Sequence, residues 1–296
     1  MSSVGARPLC AEISRADVEP LAATASRVDT WLLLEYRGLW GHEAAATSTL
    51  SPAVKAHLRA LAATEPRSRV LFVRRTERRG NPTIAAFVAR STEGAASVRR
   101  LKLDGYDDLL TLDLESAGDL VEHPLLLVCT HGKHDRCCAR FGRPLYEALR
   151  EVVDEEWVWQ STHVGGDRFA GNVVSLPHGL YYGRVDPASV LTLADAVLDG
   201  RVHLESYRGR SCYSMPVQAA ERAVREATGA LGVEDVRLLS SRRDGEQRLV
   251  AFAAAGTTWE VDVRREEGQL THLTCDATEL RRPRRYVAGT PRERGA

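Results

Sequence analysis

From Trp31 onward the chain alternates short apolar runs with polar breaks. Trp31-Leu-Leu-Leu-Glu35, Arg69-Val-Leu-Phe-Val73, Ile84-Ala-Ala-Phe-Val88 and Val98-Arg-Arg-Leu101 have the length and composition of strands. Val54, Leu58 and Leu61 recur at helical spacing and predict a helix over residues 52–63. Together these define an α+β unit over residues 1–118.

A second unit, residues 119–204, opens with His123-Pro-Leu-Leu-Leu-Val-Cys129, a continuous apolar run suited to a strand buried on both faces. After a polar loop, Phe141, Leu145, Ala148, Leu149 and Val152 share one helical face, with Pro144 expected in the first turn. Glu156-Trp-Val-Trp-Gln-Ser161 reads as the next strand. Asn172-Val-Val-Ser-Leu176 and Leu180-Tyr-Tyr-Gly-Arg184 form a hairpin around Pro177-His-Gly179, and residues 187–198 a closing helix. The order β-α-β-β-β-α is that of a thioredoxin-like sheet. In the third unit, residues 205–296, Ser214 can cap a helix that carries Pro216 in its first turn and ends near Gly229. Strands are expected at 236–240, 248–253, 258–263 and 270–275, with turns at Asp244-Gly245 and Glu267-Gly268, then a basic tail. The expected class is therefore α/β and α+β: a central thioredoxin-like unit flanked by α+β units, the last a helix on an antiparallel sheet.

At 296 residues the chain can hold two or three hydrophobic cores. Forty basic side chains balance forty acidic ones, so no overall charge favours nucleic acid or an anionic membrane, and neither is expected as a partner. The run Arg281-Arg-Pro-Arg-Arg285 reads as a solvated tail. The first ten residues lack the apolar core of a secretory signal, and no stretch is long enough to span a membrane, so a cytoplasmic protein is expected. Six cysteines, three of them within ten positions, do not resemble a secreted disulfide framework and point to metal binding or redox chemistry.

That crowding is in Cys129-Thr-His-Gly-Lys-His-Asp-Arg-Cys-Cys138, followed by His163-Val-Gly-Gly-Asp167. The first segment follows a buried strand, where α/β sheets place their chemistry. In the second, the paired glycines allow a tight turn that can aim His163 and Asp167 at one centre. Two thiolates, an imidazole and a carboxylate suit tetrahedral zinc, and also a [2Fe-2S] cluster with two ligands per iron. Cys137, adjacent to Cys138, reads as a packed thiol; Cys10, Cys212 and Cys275 read as ordinary buried cysteines. His178 is a hairpin-tip residue, and Trp157 and Trp159 are explained by a strand core. Ser211, Ser214 and the histidines form no hydrolase arrangement.

Over Cys129 to Pro144 and His163-Val-Gly-Gly-Asp-Arg-Phe-Ala-Gly-Asn172 the chain resembles the sucrase/ferredoxin-like family, whose members contain a thioredoxin-like [2Fe-2S] domain. The resemblance is most specific over residues 129–184. It implies cluster ligation by two cysteines of the first motif and two histidines of an H-x-x-x-H second motif, here Cys129, Cys138, His163 and Asp167. Asp167 stands where the family has its second histidine. Direct ligation by Asp167, substitution by His131, His134 or Cys137, and loss of the cluster are the three alternatives. With Asp167 as ligand the centre carries about one net negative charge, which Lys133, Arg136, Arg140 and Arg168 can offset or use to dock an acidic electron donor. The expected function is single-electron transfer with a redox partner protein; the rivals are a thiol-disulfide oxidoreductase and a zinc-stabilised interaction module.

Overall fold

The computed structural model describes residues 7–65, 67–76, 83–111 and 118–294. The leading residues 1–6, part of the segment read as lacking a secretory signal, lie outside them. The chain opens with α1 (Cys10–Ala16), then β1 (Thr30–Glu35), a single turn α2 (Ala44–Thr47), α3 (Pro52–Thr64), β2 (Ser68–Arg74), β3 (Ile84–Arg90), β4 (Ser97–Leu103) and β5 (Asp119–Leu120). The middle runs β6 (Leu125–Cys129), α4 (Arg136–Val152), β7 (Val158–Ser161), β8 (Val173–Leu176), β9 (Leu180–Tyr182), α5 (Val190–Leu198) and β10 (Tyr207–Arg210). Last come α6 (Met215–Thr228), β11 (Arg237–Asp244), β12 (Gln247–Ala254), β13 (Thr257–Glu267), β14 (Arg284–Ala288) and β15 (Arg292–Arg294). The protein is mixed α/β, with more strands than helices among the described residues.

Ten strands share one mixed sheet in the order β10-β9-β8-β6-β7-β2-β1-β3-β4-β5. The strands of the first two sequence segments meet where β2 pairs antiparallel with β7, through Val73 with Ser161 and Arg74 with Gln160. β6 is parallel to β7 and antiparallel to β8. All five β6 residues are buried because both sheet faces are covered. Side chains alternate across a strand, so Leu125, Leu127 and Cys129 join Trp31, Trp159 and Tyr181 on one face. Leu126 and Val128 meet Leu145 and Leu149 of α4 and Leu193 of α5 on the other.

The second sheet runs β11-β12-β13-β14, with β15 also on β13. α6 packs Val217, Ala220 and Val224 onto Val250, Phe252, Val261 and Val263.

Several local expectations are revised. α4 starts at Arg136, capped by the Asp135 carboxylate, so Pro144 lies inside the helix rather than in its first turn. Residues 270–275 are not a strand but a loop with one bridge, Thr271 to Arg281; the strand beside β13 is β14. Arg284 and Arg285 of the basic run belong to β14 and pair with Glu267 and Glu266 of β13, so part of that run is sheet edge rather than tail. Ser214 occupies the cap of α6 but makes no side-chain capping bond.

Candidate metal centre

β6 carries Cys129 to the end of the sheet, where its N–H donates to the Asn172 carbonyl at 3.1 Å. The polar loop then turns into α4: the Asp135 carboxylate accepts the Cys137 N–H at 2.8 Å. Cys137 and Cys138 therefore sit in the first helical turn, about 100° apart around the axis, and face different surroundings. Cys138 turns back towards Cys129. Gly142, one turn further along the same face, makes that approach feasible: a Cβ there would run into the Cys129 carbonyl, with its carbon 3.0 Å away.

The other half hangs from β7. Gly165 and Gly166 take φ of 103° and 83°, conformations that side-chain-bearing residues rarely adopt, and this tight bend returns Asp167 to His163. The bend is pinned from below. The Val164 carbonyl accepts from Arg69, from the Tyr181 hydroxyl at 3.2 Å and from Ser26 Oγ at 3.3 Å. Arg208 of β10, fully buried, donates to the carbonyls of Gly165 (2.9 Å) and Thr24 (2.6 Å) and to Asn172 Oδ1 (2.7 Å). Asn172 in turn donates to the Gly166 carbonyl at 2.9 Å. Burial pulls the Arg208 pKa down to about 10, which still leaves it charged at neutral pH.

These two supports bring all four expected residues together. Donor atoms of Cys129, Cys138 and His163 lie within 4.8 Å of one another. Asp167 Oδ1 is 2.9 Å from His163 Nδ1 and 3.3 Å from Cys138 Sγ. Cys129, Cys138 and Asp167 are buried, whereas the His163 side chain keeps 20% of its surface exposed. It borders a cleft of ≈ 250 Å³ shared with His42, Arg69, His131, His134 and Thr162.

The electrostatics favour charge on Cys129 and Asp167 and disfavour it on Cys138. Cys129 is held well below the usual thiol range because Cys138 donates a hydrogen bond to it; burial opposes this, and His163 adds to it. Cys138 is pushed well above that range, since it keeps the shared proton and is itself buried. Burial disfavours charge on Asp167, but His163 more than compensates and its pKa is lowered. A metal ion bound here would take over the role of these shared protons.

Of the proposed substitutes for Asp167, His131 has both ring nitrogens engaged, Nε2 with the Gly41 carbonyl at 2.7 Å and Nδ1 with the His163 N–H at 3.3 Å. Cys137 belongs to a different group of sulfurs. His134 stacks on His163 with centroids 3.9 Å apart, and its donor atom lies within 4.8 Å of those of His163 and Asp167. Lys133, Arg136 and Arg140 are exposed, whereas Arg168 pairs with buried Glu19 at 2.9 Å. His178 sits at the β8–β9 turn, 3.6 Å from Glu234. Trp159 is core, and Trp157 stacks on His123.

Gly142 and Asn172 lie inside the two motifs that carry the family resemblance and Arg69 opens an expected strand, but their roles, and that of Arg208, rest on contacts between distant segments that no local pattern announces.

Fold and site together define a mixed α/β protein with buried thiols and a buried carboxylate beside a partly exposed imidazole, donors that suit a borderline-soft metal or an iron–sulfur cluster. Residues 21–209 match the sucrase/ferredoxin-like family, and the chain belongs to it. It is 36% identical over 95 residues to the altered inheritance of mitochondria protein 32 of Meyerozyma guilliermondii, covering 29% of this chain and 34% of that protein. The protein of the same name from Debaryomyces hansenii is 32% identical over 95 residues, covering 29% and 35%, and that from Saccharomyces cerevisiae 29% over 96 residues, covering 28% and 31%. The chain thus spans about a third of the length of the curated relatives it matches. No solved structure matches it significantly. Among the described residues no helix is long and apolar enough to cross a membrane.

Proposed function

We propose that this protein holds a [2Fe-2S] cluster in a thioredoxin-like unit and carries single electrons, with Cys129 and Cys138 on one iron and His163 and Asp167 on the other. The observation that carries the reading is the convergence of two buried cysteines with an imidazole that reaches the surface. The unit's element order β6-α4-β7-β8-β9-α5, its strand order β9-β8-β6-β7 and its parallel β6–β7 pair support a thioredoxin-like fold. Bound, the cluster would supply a reversible one-electron couple.

The chain's own residues hold and orient. β6 and the first turn of α4 present the thiolates, near a helix N-terminus that favours negative charge. Arg208 and Asn172 fix the bend that presents His163 and Asp167. The His163 edge offers a partner its nearest approach, and exposed Lys133, Arg136 and Arg140, close in sequence to Cys129 and Cys138, would suit an acidic redox protein. Six unpaired, buried cysteines suit a reducing, cytoplasmic setting.

A second assignment of the fourth ligand has its own support. The 2.9 Å contact between Asp167 and His163 resembles a carboxylate that orients a histidine ligand, which would leave the fourth bond to His134.

Anaerobic purification, with iron, sulfide and zinc measured per chain and visible and EPR spectra recorded, tests the reading; about two irons and two sulfides are expected. A protein that takes up neither iron nor sulfide on reconstitution overturns it. Asp167→Ala and His134→Ala then assign the fourth ligand by which of them alters the reduced EPR spectrum.

A further inference from the structure

The first turn of α4 also faces a second group of sulfurs. Cys10 at the start of α1, Cys137 beside Cys138, and Cys275 in the loop between β13 and β14 bring their Sγ atoms together. The separations are 3.4 Å for Cys10 and Cys137, 3.3 Å for Cys137 and Cys275, and 3.6 Å for Cys275 and Cys10. The carboxylate oxygens of Asp135 lie 3.9 and 4.0 Å from Cys10 Sγ. All four residues are buried, and their donor atoms fall within 4.8 Å of one another.

These separations are far longer than the roughly 2.05 Å of a disulfide. They approach the edge of roughly 3.7 Å in a tetrahedron of thiolates about 2.3 Å from a zinc ion. Charge makes the same case. Asp135 is 2% exposed, and among the described residues no basic side chain pairs with it. The N–H groups of Cys137 and Cys275 orient its two oxygens, at 2.8 and 2.7 Å, without supplying a cation. The Ala11 N–H points at Cys137 Sγ from 3.4 Å, as it would to a thiolate. The surrounding shell is apolar, built from Leu9, Ala11, Phe141 and Ala170. A buried, oriented carboxylate among three sulfurs in an apolar shell is a costly arrangement unless a cation sits between them.

We propose that Cys10, Asp135, Cys137 and Cys275 bind a structural zinc ion, each thiol releasing its proton to solvent as the ion enters. Three soft sulfurs and one carboxylate in a closed, buried tetrahedron favour zinc over magnesium or calcium, which take oxygen ligands at higher coordination. Cys10 and Cys275 lie outside the family-matched residues 21–209, so the ion would staple segments before and after that region to α4. α1 backs the turn that begins at Asp167: Arg15 donates to the Ala170 carbonyl at 2.9 Å, and Arg184 to that of Ser14 at 3.0 Å. The staple thereby braces the ligand bend of the neighbouring site, yet it needs no cluster there.

The test uses the full chain, purified without chelator from medium containing both metals, with zinc, iron and sulfide counted separately. One zinc per chain is expected, lost in Cys10→Ser and Cys275→Ser and kept in Cys212→Ser. Zinc X-ray absorption on the unaltered protein, which does not depend on any variant folding, should show three sulfurs at about 2.3 Å and one oxygen. Absence of zinc, zinc kept by both serine variants, a shell of two sulfurs with nitrogen, or a disulfide among these cysteines in the native mass overturns the proposal. Absence of iron and sulfide bears only on the cluster.

Discussion

Gly142→Ala probes the contact on which the cysteine pair depends. The added Cβ would stand 3.0 Å from the Cys129 carbonyl carbon and 3.5 Å from Thr130 Cα, and closer still to the Cys129 oxygen. That oxygen is backbone at the end of a buried strand and has no flexible end to swing aside, so α4 must retreat by roughly 1 to 1.5 Å to regain ordinary contact. Overpacking of this kind costs about 1–3 kcal/mol or more, while alanine recovers about 1 kcal/mol of helix propensity. A net loss of about 1–2 kcal/mol is expected, since the clash is with backbone and sits at the upper end of that range. Cys138, one turn earlier on the same face, moves with the helix and opens the gap to Cys129. Urea unfolding of the metal-free protein and metal retention after reconstitution read the two effects. Gly105→Ala, whose Cβ would meet nothing within 4 Å, is the control and should stay within about 0.5 kcal/mol of the parent. Unchanged stability and unchanged metal retention in Gly142→Ala would refute the close-approach argument.

Other outcomes follow from the same contacts. Arg208→Met strands the carbonyls of Thr24 and Gly165 and the side chain of Asn172; it should cost about 3 kcal/mol in denaturant unfolding and shorten the lifetime of any metal bound through His163. Glu221 and Arg225 form a wholly buried pair at 3.1 Å that also accepts the Tyr207 hydroxyl, so Glu221→Ala should lose about 3–5 kcal/mol, seen as a lower urea midpoint with an unchanged slope. His178 and His203 have lowered pKa values, both because burial disfavours the charged ring, with Arg210 adding to the effect at His178. The unfolded chain then binds the extra protons, so stability should fall as pH drops below about 6.5, and His178→Gln should flatten that part of the profile. Burial pushes Cys212 up to about 12, so it should resist alkylation at pH 8 until the protein unfolds, as mass spectrometry of labelled peptides can read.

Much of this was legible in the chain. Continuous apolar runs produce strands wherever they occur, so β1, β2, β3, β6 and β8 lie where period and length put them. The turn at Gly165-Gly166 and the nine-residue offset of Cys129 from Cys138 belong to the same class, because ligand type and local backbone freedom are written in adjacent residues. The start of α4 was less legible. Its first turn is polar, and the Asp135 cap fixes it without any apolar periodicity. The end of the chain is less legible for a related reason: the arginines that open β14 carry no apolar signal, and the strand is set by its backbone pairing with β13.

The sequence by itself determined the strand and helix content of the sheet that holds the site, and which two short segments carry the thiol, imidazole and carboxylate side chains. Tertiary structure decided that these segments converge, through the crossing of α4 over β6 at Gly142 and through Arg208 under the bend at Gly166. It also decided that Cys10, Cys137 and Cys275, ordinary as isolated buried cysteines, form one group. The physical reason is separation along the chain: residues more than a hundred positions apart share no local signal, and only the packing of α1 and the C-terminal loop against α4 brings their sulfurs within 3.6 Å.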